Sequence, residues 1–338
     1  MIGGFAGTSL PAGFAARLSA GELGGAILFA RNVTPDLRQV ASLCAAIAAT
    51  QELAPIVSVD QEGGRVARLR ERVVRLPPAM ALGRLDEKTL ERVAATLGRA
   101  LAALGFSMDY APVLDVHTNP ANPIIGDRAF GTDPGTAARG AIAFARGLAS
   151  AGVAPCGKHF PGHGDTVTDS HLDLPRVSHD RARLEAIELA PFRAAARQVP
   201  AMMSAHVVFG ALDDKPATLS RRIATDLLRG DLGFEGVLIS DDLEMRAIAD
   251  RYGAGDAAVL AIEAGCDALL VCSSEEGQVA AVDALEARAS RDAAFRARCE
   301  KARARCETLR RAWVPRPSDL EAALEVPKDV AAALEGLT

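Results

Sequence analysis

Aromatic side chains are scarce in this 338-residue chain: Phe, Tyr and Trp together make up 4%, with one Trp and two Tyr. The core must therefore be built mainly from Ala, Val, Leu and Ile. Paired cysteines are missing too. Cys44, Cys156, Cys266, Cys272, Cys299 and Cys306 are scattered without a C-x-x-C pair. That pattern excludes a disulfide framework and a zinc ribbon, and it fits reduced thiols in a cytoplasmic protein. No apolar run approaches the roughly 18 residues that a membrane helix needs. The opening MIGGFAGTSLPAGFAARLS carries no basic stretch followed by an apolar one, so no secretion signal is expected. Basic runs are absent, and the net charge is −5. Both argue against a nucleic-acid partner.

What is present is a globular balance, 49% hydrophobic and 24% charged, with short apolar runs that recur along the chain. The strand candidates are residues 2–5, 26–29, 55–59, 108–114, 153–159, 201–206, 236–240 and 268–271. They read as strands covered on both faces. Helical patterns lie between them. Thr34-Pro35-Asp36 reads as an N-cap followed by Pro, leading into LRQVASLCAAIAAT. Further helices are expected at about 86–103, 136–151, 180–198, 220–229, 243–264 and 275–312. Eight strand–helix units predict a (β/α)₈ TIM-type barrel over residues 1–312. A short Pro-punctuated helical tail, 313–338, is expected to pack on it. A doubly wound open sheet is the alternative, although no Gly-rich phosphate loop follows the first strand.

In such a barrel the active site forms at the C-terminal ends of the strands, and the polar residues of this chain cluster there. DQEGGRVARLR follows the third strand, LDVHTNPANPIIGDRAFG the fourth, and KHFPGHGDTVTDSHLDLP (158–175) the fifth. Three of the six histidines fall in that last stretch. Carboxylates at Asp60, Glu62, Asp115, Asp127, Asp165, Asp169, Asp241 and Asp242 alternate with Arg65, Arg68, Arg128 and Lys158. A pocket rich in both acceptors and donors suits a polyhydroxylated ligand. Hydrolysing a glycoside needs a nucleophile and an acid/base group. Asp241, capping a buried strand, is the nucleophile candidate; Asp242 reads more naturally as a helix cap. Asp169-Ser170-His171 sets a carboxylate beside an imidazole, an arrangement that tunes proton transfer. Gly162 and Gly164 suggest a loop able to move. His159 and His163 are separated by Pro161 and Gly162, so they cannot form a helical metal-binding pair, and no H-x-H stands on an early strand. No metal and no other cofactor is expected.

These segments, together with GFAGTSLP (4–11), GGAILFARN (24–32), MMSAHVVF (202–209) and GVLISDDLEM (236–245), resemble family 3 glycoside hydrolases. The resemblance is to the bacterial β-N-acetylhexosaminidase branch of peptidoglycan recycling, and it covers roughly residues 3 to 275. It implies a (β/α)₈ barrel and a retaining exo-β-N-acetylglucosaminidase that acts on peptidoglycan fragments through a covalent glycosyl-Asp241. Asp169 and His171 would be the acid/base dyad. Asp60, Arg68, Arg128, Lys158 and His159 would bind the terminal N-acetylglucosamine, with His206 and Met245 lining the same pocket. A small GlcNAc-containing carbohydrate is the expected partner and a monomer the expected state. The alternatives are a related family 3 β-glycosidase or phosphorylase of other sugar preference, and a metal-dependent barrel hydrolase.

Overall fold

The computed structural model describes residues 1–166, 174–314 and 316–337. Eight strands form one closed, all-parallel barrel: β1 (Ile2–Gly3), β2 (Gly25–Leu28), β3 (Ile56–Val59), β4 (Met108–Asp109), β5 (Ala154–Phe160), β6 (Ala201–Ser204), β7 (Val237–Asp242) and β8 (Ala268–Val271). Neighbours in sequence are neighbours in space, and β1 pairs with β8 to close the ring. Side chains alternate across each strand. Ile27, Ile56, Met108, Cys156, Met203, Ile239 and Leu270 fill the barrel interior. Ala26, Val57, Val59, Met202, Leu238 and Leu269 face outward into the layer shared with the helices. This is the (β/α)₈ barrel expected from the sequence.

The differences from expectation have local causes. The fourth strand stops at Asp109 instead of Leu114, because Pro112 has no amide to donate to the ladder. The chain nevertheless keeps beside β5: the Cys156 and Lys158 amides donate to Ala111 and Pro112 carbonyls at 2.9 and 3.1 Å. The second helix, Leu37–Ala48, is capped by Asp36 and not by Thr34; the Asp36 carboxylate accepts from the Arg38 amide. The helix expected at 180–198 is two, Arg181–Ala186 and Ala190–Ala195. Pro191, inside one continuous helix, would remove a hydrogen bond and clash with the Ile187 carbonyl. The stretch 275–312 divides at Asp292, an extended residue whose carboxylate caps the amides of Ala294 and Phe295.

The last long helix, Ala293–Ala312, seals the N-terminal mouth of the barrel. Leu309 joins the interior cluster, and Trp313 packs beneath it. Arg310 donates to the Ala54 carbonyl at 3.0 Å and to the Gln51 side chain at 2.7 Å. Two short helices, Leu320–Leu324 and Lys328–Glu335, lie against helix Glu87–Leu104, with Val330 buried between them. Among the described residues no helix is long and apolar enough to cross a membrane.

Two buried acids carry the electrostatics of the framework. Asp267, at the start of β8, is wholly buried and takes Arg229 at 2.5 Å, Arg298 at 3.0 Å and Arg305 at 3.2 Å. It also accepts the Leu238 amide. Asp267→Ala would remove the shared anion of three guanidinium groups, leaving Arg229 and Arg298, among the described residues, with backbone carbonyls alone. A loss of about 3–5 kcal/mol is expected in urea unfolding, with the folded fraction keeping its activity. Asp109 faces outward from β4 and, among the described residues, accepts only the Gln61 amide, at 2.9 Å. Burial pushes its carboxyl up to about 8, against the pull of that amide. The folded state thus holds a proton that the unfolded chain releases near pH ~4. This group's contribution is full below that pH and is lost as pH rises toward about 8. Asp109→Asn keeps the acceptor and removes the titration. Its stability relative to the wild type should climb by about 1.4 kcal/mol per pH unit across that window, read from urea midpoints at several pH values.

Candidate active site

The inward alternation does not stop at the apolar layer. Ile56 and Ser58 lead to Asp60, Ala154 and Cys156 to Lys158, and Val237 and Ile239 to Asp241. These three charged residues reach a cavity of about 240 Å³ at the C-terminal mouth, whose floor is Ile27, Tyr110, Met203 and Leu270. Lys158 is 2% exposed. Its ammonium lies 2.7 Å from Asp60 Oδ1 and 2.6 Å from Glu62 Oε1. Arg128 grips both oxygens of Glu62 at 2.8 Å, and Arg68 lies 3.2 Å from Asp60 Oδ2. Burial pushes the Asp60 and Glu62 carboxyls up, but the cations outweigh it and hold both below the usual carboxylate range. Burial likewise disfavours the Lys158 cation, and the two carboxylates reverse that, raising it above the usual lysine value.

Glu62 and Gln61 are the residues that sequence reasoning left without a role. A two-stranded hairpin, Gln61–Gly63 with Val66–Ala67, follows β3. Gly63 and Gly64 turn it with φ of 106° and 51°, a region that favours glycine. The buried Gln61 side chain accepts the amides of Arg68 and Leu69 at 2.8 and 3.0 Å and donates to the Leu69 carbonyl. It fixes the return of the chain that carries Arg68. A polar residue directly after a strand, followed by a Gly-Gly turn, was the available signal.

His159 stands beside this cluster. Its Nδ1 is 2.7 Å from Asp115 Oδ2, and its Nε2 is 3.5 Å from Arg128. Asp115 also accepts the His163 amide at 2.7 Å. Burial pushes the His163 ring down to about 4, so it is neutral at pH 7. His206 does not line the cavity. It is wholly buried, with Nδ1 2.9 Å from Thr218 Oγ1 and Nε2 2.9 Å from the Asp242 carbonyl, and so supports the end of β7 from behind. Met245 does line the cavity.

The paired aspartates of β7 both border the cavity and differ in what their carboxylates meet. Asp241 faces the cavity. Burial pushes its carboxyl up, and the His206 and His159 rings, the Asp242 amide and Lys158 together bring it below the usual range. The Asp242 carboxylate instead accepts the amides of Glu244 at 3.1 Å and Cys272 at 3.2 Å. Burial and its acidic neighbours push it up to about 6. It closes a turn between β7 and β8 and does not cap a helix, since the next helix begins at Arg246 after Met245.

Asp169 and His171 lie outside the described residues. The stretch leading up to them is tightly held. His163 Nδ1 is 2.8 Å from Thr166 Oγ1, Asn122 donates to the His163 carbonyl at 2.8 Å, and Asp165 pairs with Thr118 and His179 at 3.0 and 2.5 Å. Gly164 does not confer freedom here. A Cβ at that position would overlap the Val116 carbonyl, so the glycine permits close packing. A larger groove of about 770 Å³ opens at the opposite end of the barrel. Among the described residues, Glu235 is the only carboxylate lining it, and it borders the start of β7 at Val237, not a C-terminal strand end.

Residues 11–308 match the Glycosyl hydrolase family 3 N terminal domain. A β-hexosaminidase of Pseudomonas aeruginosa (strain LESB58) is 43% identical over 272 residues, 78% of this chain and 80% of that protein. A family 3 β-N-acetylglucosaminidase from Paenibacillus sp. str. FPU-7 has a TM-score of 0.91 at 40% identity, over 99% of this chain and 66% of that one. NagZ from Neisseria gonorrhoeae has a TM-score of 0.81 at 35% identity, over 100% of this chain and 97% of that one. With a barrel mouth that carries an ionised inward carboxylate among fixed cations, and with matches of this extent, the chain belongs to glycosyl hydrolase family 3 and is a glycosidase that hydrolyses O-glycosyl bonds.

Proposed function

We propose that the enzyme is a retaining exo-β-N-acetylglucosaminidase of peptidoglycan recycling in the cytoplasm. It would act as a monomer, with no metal or cofactor, on GlcNAc-MurNAc or GlcNAc-anhydroMurNAc, with or without the peptide. The observation that carries this reading is Asp241: an ionised carboxylate on a rigid strand end, aimed into a cavity smaller than the roughly 300–1,000 Å³ that drug-sized ligands fill. Such a space suits one terminal sugar. The relatives named β-hexosaminidase and β-N-acetylglucosaminidase support GlcNAc as that sugar.

Asp60, Arg68, Arg128, Lys158 and His159 hold the hydroxyl and acetamide groups, with Met245 against the ring. Asp241 attacks the anomeric carbon while His171, tuned by Asp169, protonates the leaving oxygen. A glycosyl ester on Asp241 results. His171 then takes a proton from water, which attacks the same carbon from the face the leaving group vacated. Two inversions give retention.

Asp241→Ala should lower kcat on 4-nitrophenyl β-N-acetylglucosaminide by a factor on the order of 10⁴. His171→Ala should lose far less on this activated leaving group than on the natural disaccharide. EDTA should change neither rate, and the nitrophenyl glucoside should be a poor substrate. Full activity in Asp241→Ala would end this reading. Glu62→Gln weakens the hold on both Arg128 and Lys158; kcat/KM should fall by about 10- to 100-fold, mostly through KM.

A further inference from the structure

Asp115 is wholly buried and does not line the cavity, yet four of its contacts converge on residues that matter there. Its two oxygens accept the His159 backbone amide at 3.3 Å each, the His159 ring at 2.7 Å and the His163 amide at 2.7 Å. The backbone partners are N–H donors, and a ring nitrogen held 2.7 Å from an ionised carboxylate must donate as well, since the carboxylate has nothing to give. A carboxylate fills such a position because it accepts on both oxygens and donates from neither. Burial pushes the group up, and the His159 ring and the His163 amide keep it ionised, below the usual range.

The arrangement determines where the His159 proton sits. Nδ1 donates to Asp115, which leaves Nε2 with its lone pair exposed at the edge of the cavity. The neighbour on that side agrees: Arg128 has only donors, and its nearest nitrogen is 3.5 Å from Nε2. A ring carrying its proton on Nε2 would set donor against donor. We propose that Asp115 is a positioning residue for sugar recognition: it locks His159 in the Nδ1–H tautomer, so that Nε2 can only accept a hydroxyl proton from the sugar. Through the His163 amide the same carboxylate holds the turn 159–163 on which that ring is mounted. The inference rests on the reading of this cavity as a sugar site, but the tautomer is a property of the free enzyme.

The test begins without substrate. In protein labelled with [15N]histidine, the His159 ring signals are assigned by their loss in His159→Gln. At pH 8 the wild-type ring should show Nδ1 protonated and Nε2 bare. A ring protonated on Nε2 in the wild type overturns the proposal, whether or not any variant folds. Asp115→Asn presents an amide N–H₂ to one of these donors. It should move the ring proton to Nε2 and lower kcat/KM on the nitrophenyl substrate on the order of 10- to 100-fold, chiefly through KM. The double variant Asp115→Asn/His159→Gln should be no worse than His159→Gln alone, as expected when one residue acts through the other. Additive losses, or an unchanged tautomer in Asp115→Asn, would refute it. If the wild-type tautomer is as stated but no hexosaminide is cleaved, the positioning stands and the substrate reading falls.

Discussion

An ammonium ion sealed at the top of a barrel is the constraint around which this site is built. Lys158 occupies an inward position of β5 where the layer below is apolar and water is excluded. Desolvating such a charge costs several kcal/mol unless partners of opposite sign are already in place. Asp60 and Glu62 are those partners, and each then needs its own balance, which Arg68 and Arg128 provide. One buried cation thus fixes the geometry of two strands, a hairpin and the loop after β4. A network of this kind is rigid before any ligand arrives, which is the property that electrostatic stabilisation of a transition state requires.

The two ends of the barrel divide the work. At the N-terminal face, Asp267 gathers three arginines from two helices, and Leu309 and Trp313 close the floor; these contacts hold the ring together. At the C-terminal face the charges are arranged with room between them. Both ends bury ions, but the upper one also leaves a cavity edged by Asp241, a strand-end carboxylate that no cation directly engages among the described residues. Among the described residues Asp241 accepts a single amide, while Asp60 and Glu62 are clasped by Lys158 and the arginines. That difference sets it apart from its neighbours.

Much of this was readable in the chain. Short apolar runs marked all eight strands, because a parallel strand covered on both faces has nothing polar to show. The charged residues after those runs marked the cavity. The errors came where a local residue overrode a regional pattern: Pro112 ended a strand, Pro191 divided a helix, and Asp292 capped a new one inside an Ala- and Arg-rich run. Glu62, Gln61 and Asp115 were visible as polar residues, but their partners lie about 7 to 100 positions away, and pattern reading sees only neighbours. Alternation from Val237 and Ile239 marks Asp241 as inward-facing, but Asp242 borders the cavity as well, where the pairing of β7 with β8 slips between Ile239 and Asp242. Asp169 and His171 remain known from sequence alone.

The sealed floor has one more consequence. With Leu309 beneath and Ile27, Tyr110, Met203 and Leu270 across the interior, the cavity is closed on its barrel side. A sugar at the bottom cannot leave while the rest of the molecule stands in the doorway. On the proposed reading of this cavity as the site of the terminal sugar, the leaving group departs before water enters and before the sugar itself is released. The order of the products follows from the plumbing of the barrel, independent of how tightly either one is bound.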